Sequence, residues 1–283
     1  MKKIHKLIAT FTIALLFSGT ILAQEVVVSA DDFKSASKGA IIVDAAVGEY
    51  ATMHVQDAIH IPHTELYKEP IADGIIKEPA TLAKYFGEKG ITADAKVIIY
   101  DDGSQKYNSR VYWVMKYLGA SNVHLLHKDM NDWRKARIRL TRSPKSLGAK
   151  TFTPDLQKNL LATASEVMRA IDDANTVIVD SRTAGEYAGK EKESKGHIKS
   201  AVNINYEDML DDKGAFLSKD QIISNAKAKG VTADKNIILY CKTSIRAATN
   251  FVALKEIAGF ENVKVYDGAY LEWLKKHPDL IVK

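Results

Sequence analysis

The stretch Asn236-Ile-Ile-Leu-Tyr-Cys241-Lys-Thr-Ser-Ile-Arg246 reads as a short buried strand running into a tight loop. The next run, Ala247-Ala-Thr-Asn-Phe-Val-Ala-Leu-Lys-Glu-Ile-Ala258, reads as a helix stopped at Gly259. Strand, loop and helix in this order make the unit of a parallel α/β sheet, where sites form at the carboxyl ends of strands. Cys241, the only cysteine of the chain, stands at such an end. A thiol there meets backbone N–H groups and the positive end of a helix, with Lys242 and Arg246 adding charge. These favour a thiolate and any anion docked on it. A buried structural cysteine, the plain alternative, leaves the coincidence of strand, loop, cations and helix start unexplained.

Working outward, the same pattern occurs twice. Ile91-Thr-Ala-Asp94 returns as Val231-Thr-Ala-Asp234, and Val97-Ile-Ile-Tyr100 as Ile237-Ile-Leu-Tyr240. Leu118-Gly119 returns as Ala258-Gly259, and Trp133 as Trp273, all 140 residues apart. Upstream, Ile41–Asp44 with Gly48-Glu-Tyr50 matches Val177–Asp180 with Gly185-Glu-Tyr187, and His54 matches His197. Each half therefore reads as one α/β unit. Its strands are Ile41–Asp44, Ala58–Ile61, Val97–Tyr100 and Val123–Leu126 in the first half. In the second they are Val177–Asp180, Ala201–Ile204, Asn236–Tyr240 and Val263–Tyr266. Alternating strands and helices imply a mostly parallel sheet with helices on both faces. At the loop the halves part: Asp101 stands for Cys241, Asp102-Gly-Ser104 for Lys242-Thr-Ser244, and Lys106 for Arg246. One nucleophile per chain, in the second half, is the simplest reading.

Residues 1–23 join a basic start (Lys2, Lys3, Lys6) to an apolar run from Leu7 to Leu22 and a small Ala23, the pattern of a cleaved signal peptide. The divisions expected are a signal segment 1–23, a domain 24–140, a Ser/Thr/Pro/Gly/Lys-rich linker 141–154 and a domain 155–283. The full chain carries a formal charge of +5; removing three of its 40 basic residues and no acid leaves +2. That near-balance argues against a nucleic-acid partner. After cleavage nothing calls for stable membrane association, and the expected location is periplasmic or secreted. With 46% hydrophobic and 27% charged residues, the chain has the composition of a globular protein. A lone cysteine and scattered histidines show no zinc-ligand spacing, and no Gly-rich phosphate loop is present.

These motifs together resemble the tandem-domain sulfurtransferases of the rhodanese family, over nearly all of the chain beyond the signal segment. Asp180-Ser-Arg182 with Glu186-Tyr187, Gly196-His-Ile-Lys-Ser-Ala-Val-Asn203, the loop Cys241–Arg246, and Val265-Tyr-Asp267-Gly268 with Trp273 carry the resemblance. Tyr100-Asp101 and Arg110-Val-Tyr-Trp113 resemble the inactive half of such proteins, where Asp commonly replaces Cys. Ser244 stands where the family often has Gly, which matters if that position takes φ > 0.

The resemblance implies two tandem rhodanese-like domains and covalent catalysis without a cofactor. Cys241 would take the outer sulfur of thiosulfate as a persulfide, releasing sulfite. A small thiophilic acceptor, cyanide or a thiol, would then remove it. The backbone N–H groups of Lys242, Thr243, Ser244, Ile245 and Arg246 would cradle the terminal sulfur. Arg246 would fix the loop and bind the donor's oxyanion, and Lys242 would steer anions. Arg182 reads mainly as the partner of Asp180, with contact to substrate as its second role. His197, Trp113, Trp133 and Trp273 read as structural, and so do Arg110 and His54, although these two stand where they could reach the cleft from the first half. Relatives that use 3-mercaptopyruvate have a neutral loop and an arginine at the position of Glu186, which would repel a substrate carboxylate, so thiosulfate is the expected donor. The alternatives are 3-mercaptopyruvate as donor, or a persulfide carrier serving a protein acceptor. A cysteine phosphatase fits poorly, because only four residues separate Cys241 from Arg246.

Overall fold

The computed structural model describes residues 26–283; the expected signal segment lies outside the described residues. Each half holds one five-stranded sheet, parallel throughout. In the first the strand order is Val27–Val28, Val123–Leu126, Val97–Tyr100, Ile41–Asp44, Ile59–His60. In the second it is Val202–Asn203, Thr176–Asp180, Asn236–Tyr240, Val263–Tyr266, Leu161–Ala162. The central strand of each sheet is thus the one that leads into the loop. Its four residues Val97–Tyr100, or Ile237–Tyr240, are fully buried, as a strand covered on both faces must be. The edge strands Val27–Val28 and Leu161–Ala162 are two residues long, too short to leave a periodic signal in the sequence.

Both halves repeat the same polar fittings. The hydroxyls of Tyr100 and Tyr240 donate to Asp44 (2.8 Å) and Asp180 (2.7 Å), and accept from the amides of Val55 and Ile198. Tyr50 and Tyr187 donate to the carbonyls of Ala58 and Ala201 and stack on His54 (3.8 Å) and His197 (3.6 Å). Both histidines are thereby structural, and Trp113, Trp133 and Trp273 are buried.

One hydrophobic core runs through both halves, centred on helix Lys106–Tyr117 packed against helix Ile245–Phe251. Residues 142–157 form no helix or strand and lie along the first half. Lys150 N donates to Gly87 O and Asp155 N to Leu118 O.

The uniform separation of 140 residues conceals two changes of length. The residue before each helix is left-handed: Gln105 (φ 58°) in the first half and Ser244 (φ 62°) in the second. These are 139 apart, so the first loop is one residue longer. The second helix restores the register by widening into a π-turn over Val252–Ile257, with Ala258 N donating to Ala253 O. Tyr107, not Lys106, therefore stands at the position of Arg246.

Candidate active site

Cys241 follows the central strand of the second sheet and is 1% exposed. Its loop is short because Ser244 turns the chain in one left-handed step. A side chain in that conformation costs about 1–2 kcal/mol. Here the Ser244 hydroxyl, fully buried, donates to the carbonyl of Tyr266 (2.5 Å). Ser244→Gly should fall within about 1 kcal/mol of the parent, trading that bond for a relaxed backbone. Ser244→Ala keeps the strain and strands the carbonyl, so a loss of about 1–3 kcal/mol is expected in urea unfolding.

The loop that follows Cys241 carries a set of free donors. Among the described residues, no acceptor engages the backbone N–H groups of residues 242–246. The first half shows such a cradle filled. The Asp101 carboxylate, buried, accepts from the amides of Gly103 (2.8 Å), Gln105 (3.4 Å), Tyr107 (3.0 Å) and Asn108 (3.4 Å). Burial, then the charge of Asp102, push this carboxyl up to about 6 against the pull of those amides. The first half carries its own anion among its loop amides, whereas the second half leaves its loop amides unengaged after Cys241.

Arg246, one-fifth exposed, forks onto Glu186 with Nη1–Oε2 2.5 Å and Nη2–Oε1 2.9 Å, and its charge also bears on Cys241. Burial raises the Glu186 carboxyl, but the hydrogen bonds and charge of Arg246 outweigh it and hold it below the ordinary range. Glu186 thus buttresses the loop rather than standing as a bare negative charge. Arg182 is 1% exposed. It spends its donors on Asp180 (2.6–3.1 Å), the carbonyl of Gly196 (2.8 Å) and Ser194 (3.2 Å), with its guanidinium stacked 4.0 Å over Tyr270. It lines a cavity of about 280 Å³ with Glu186, Lys242 and Tyr270. Its work is to clamp the end of strand Thr176–Asp180. Lys242 pairs with Glu193 at the surface.

How much the first half supplies to this site is not visible in any local motif. Gly74 (φ 70°) lies so close to Thr243 that a Cβ would sit 2.6 Å from both the Cβ and the carbonyl oxygen of Thr243. Gly39 has the same φ with open space around it. Gly74→Ala should therefore lower the urea midpoint well beyond Gly39→Ala, by a further 1–3 kcal/mol or so, the usual cost of overpacking. Behind Gly74, Arg110 is fully buried, donating to the Gly74 carbonyl (2.9 Å) and to Asp267 of the second half. Tyr67 lies beside it, its hydroxyl 2.8 Å from His63 Nδ1. Burial, then the charge of Arg110, push His63 down to about 4, so it is neutral at physiological pH. His63 and Tyr67 belong to no repeated motif; only their proximity in space reveals them.

Comparison with known proteins gives a consistent picture. Residues 29–136 and 163–276 each match the rhodanese-like domain. A protein named as a putative thiosulfate sulfurtransferase from Haloferax volcanii is 28% identical over 276 residues, 90% of this chain and 96% of that protein. The thiosulfate sulfurtransferase of Bos taurus is 28% identical over 239 residues, 81% of this chain and 80% of that protein. The solved 3-mercaptopyruvate sulfotransferase of Escherichia coli superposes with a TM-score of 0.79, covering 87% of this chain and 99% of that one. At 23% identity that likeness concerns the fold.

Proposed function

The chain belongs to the rhodanese family, and on that premise we propose that it is a sulfurtransferase that moves a sulfane sulfur from thiosulfate to a thiophilic acceptor through a persulfide on Cys241. The observation that carries this reading is the run of unengaged backbone N–H groups in the loop after the only cysteine, where the matching loop of the first half closes its amides on Asp101. Oriented amides stabilise a terminal sulfur anion that neither water nor a flexible side chain would hold as well. The chemistry balances without a cofactor: the thiolate attacks the outer sulfur, and sulfite departs with the electron pair of the broken S–S bond.

Thiosulfate is favoured over 3-mercaptopyruvate because the two arginines of the second half nearest the candidate site, Arg182 and Arg246, have no fork open for a carboxylate. Their forks are engaged by Asp180 and Glu186. The charged start and apolar run of residues 1–23 support export to an oxidising compartment. Steady-state sulfur transfer to cyanide, measured with each donor, tests the reading. Thiosulfate should give the higher kcat/KM, and the protein isolated after thiosulfate treatment should gain the mass of one sulfur. Turnover with 3-mercaptopyruvate alone would reverse the donor assignment. No mass gain from either donor would remove the persulfide mechanism.

A further inference from the structure

We infer that Arg110, supplied by the half that lacks the nucleophile, binds the oxyanion end of the sulfur donor above Cys241. Its guanidinium is fully buried. Nη2 is anchored on Gly74 O and Asp267, and the Tyr67 hydroxyl lies alongside the guanidinium, yet Nε and Nη1 meet no acceptor in ordinary hydrogen-bond geometry among the described residues. Buried charged donors are seldom left unpaired, so unpaired nitrogens of this kind call for an acceptor that arrives with the substrate.

Both anchors of Arg110 touch the active loop. Gly74 lies against Thr243, and the backbone carbonyl of Asp267 accepts from the Ser244 hydroxyl (3.3 Å). Tyr67, whose ring centroid is 5.5 Å from the guanidinium carbon, is also close enough to Cys241 for the sulfur's charge to act on it. The unpaired nitrogens of Arg110 and the unengaged amides of residues 242–246 thus belong to one neighbourhood. Competing cations are spent: Arg246 on Glu186, Arg182 on Asp180, and Lys242 on Glu193 at the surface.

The role follows from the reaction proposed above, on which this inference rests. As the Cys241 thiolate bonds to the outer sulfur of thiosulfate, the donor's S–S bond breaks and negative charge grows on the sulfite oxygens. Nε and Nη1 share no fork, since both forks of a guanidinium include Nη2, but either nitrogen can give a charge-assisted hydrogen bond to one of those oxygens. No proton and no outside oxidant is needed.

Arg110→Lys keeps a charge for Asp267 while removing the unpaired nitrogens Nε and Nη1. Single-turnover loading of Cys241 from thiosulfate, followed by intact mass, should slow roughly 10- to 100-fold, the effect of losing one or two charge-assisted hydrogen bonds. Discharge of the preloaded persulfide to dithiothreitol, which involves no oxyanion, should stay within about twofold of the parent. If Arg110→Lys does not fold, the paired variant Arg110→Gln with Asp267→Asn removes both charges together and should show the same split. Equal slowing of loading and discharge would make Arg110 merely an interdomain strut and overturn the inference, as would unchanged loading. Failure of the parent protein itself to load would instead defeat the proposed function, and this inference with it.

Discussion

Cys241→Ser is expected to abolish sulfur transfer, by at least about 10⁴-fold in turnover, the scale on which a lost nucleophile is felt. No second thiol exists to take over. A serine hydroxyl in the same cradle is far less nucleophilic than a thiolate and forms no persulfide. The fold should hold, because the exchange changes one atom at a site where open N–H groups await an acceptor. Intact mass after thiosulfate treatment and the urea midpoint, measured on the same preparation, separate the two effects. Residual turnover above about one per cent would place the sulfur elsewhere.

The largest effect on stability should come from Asp180→Ala. Asp180 and Arg182 are at most 1% exposed, and the carboxylate holds the Arg182 side chain, its amide (3.0 Å) and the Tyr240 hydroxyl. Removing it strands a buried guanidinium and a buried phenol, a loss of about 3–5 kcal/mol. The first half provides the control. Asp44 occupies the same place but has Ala46 where Arg182 would be, and accepts only from the Ala46 amide and Tyr100. Burial raises its carboxyl above the ordinary value, with those bonds opposing. A raised folded pKa means stability that is present in acid and lost as the pH climbs through it. Asp44→Asn should therefore cost about 1 kcal/mol or less, with its relative standing improving from pH 4 to pH 7. Urea unfolding of both variants across that range checks the contrast.

Much of the fold was legible because it is written twice. Apolar tetrads such as Val97–Tyr100 and Ile237–Tyr240, each followed by a loop and a Gly-terminated helix, fix two parallel sheets by repetition alone. The edge strands Val27–Val28 and Leu161–Ala162 escaped notice because two residues carry no period. The candidate site was legible where it is local: Cys241 at the end of a central strand, and the left-handed turn foreshadowed by Ser244. It was illegible where it depends on pairing across distance. Nothing in the sequence shows that Glu186 would take the fork of Arg246, sixty residues on, or that Gly74 would rest on Thr243. The helix registers misled for a physical reason. A constant spacing measured at both ends of a segment is blind to a gain and a loss between them.

That hidden gain and loss bear on any attempt to give the first half a working thiol. An added residue turns everything after it by about 100° around a helix axis. Grafting the six-residue loop Cys241–Arg246 alone onto the first half would leave its helix one residue short of Gly119, swinging Arg110 and Trp113 off their partners. The transplant must include the π-turn of Val252–Ile257, because loop and turn are two parts of a single edit, lying at opposite ends of one helix.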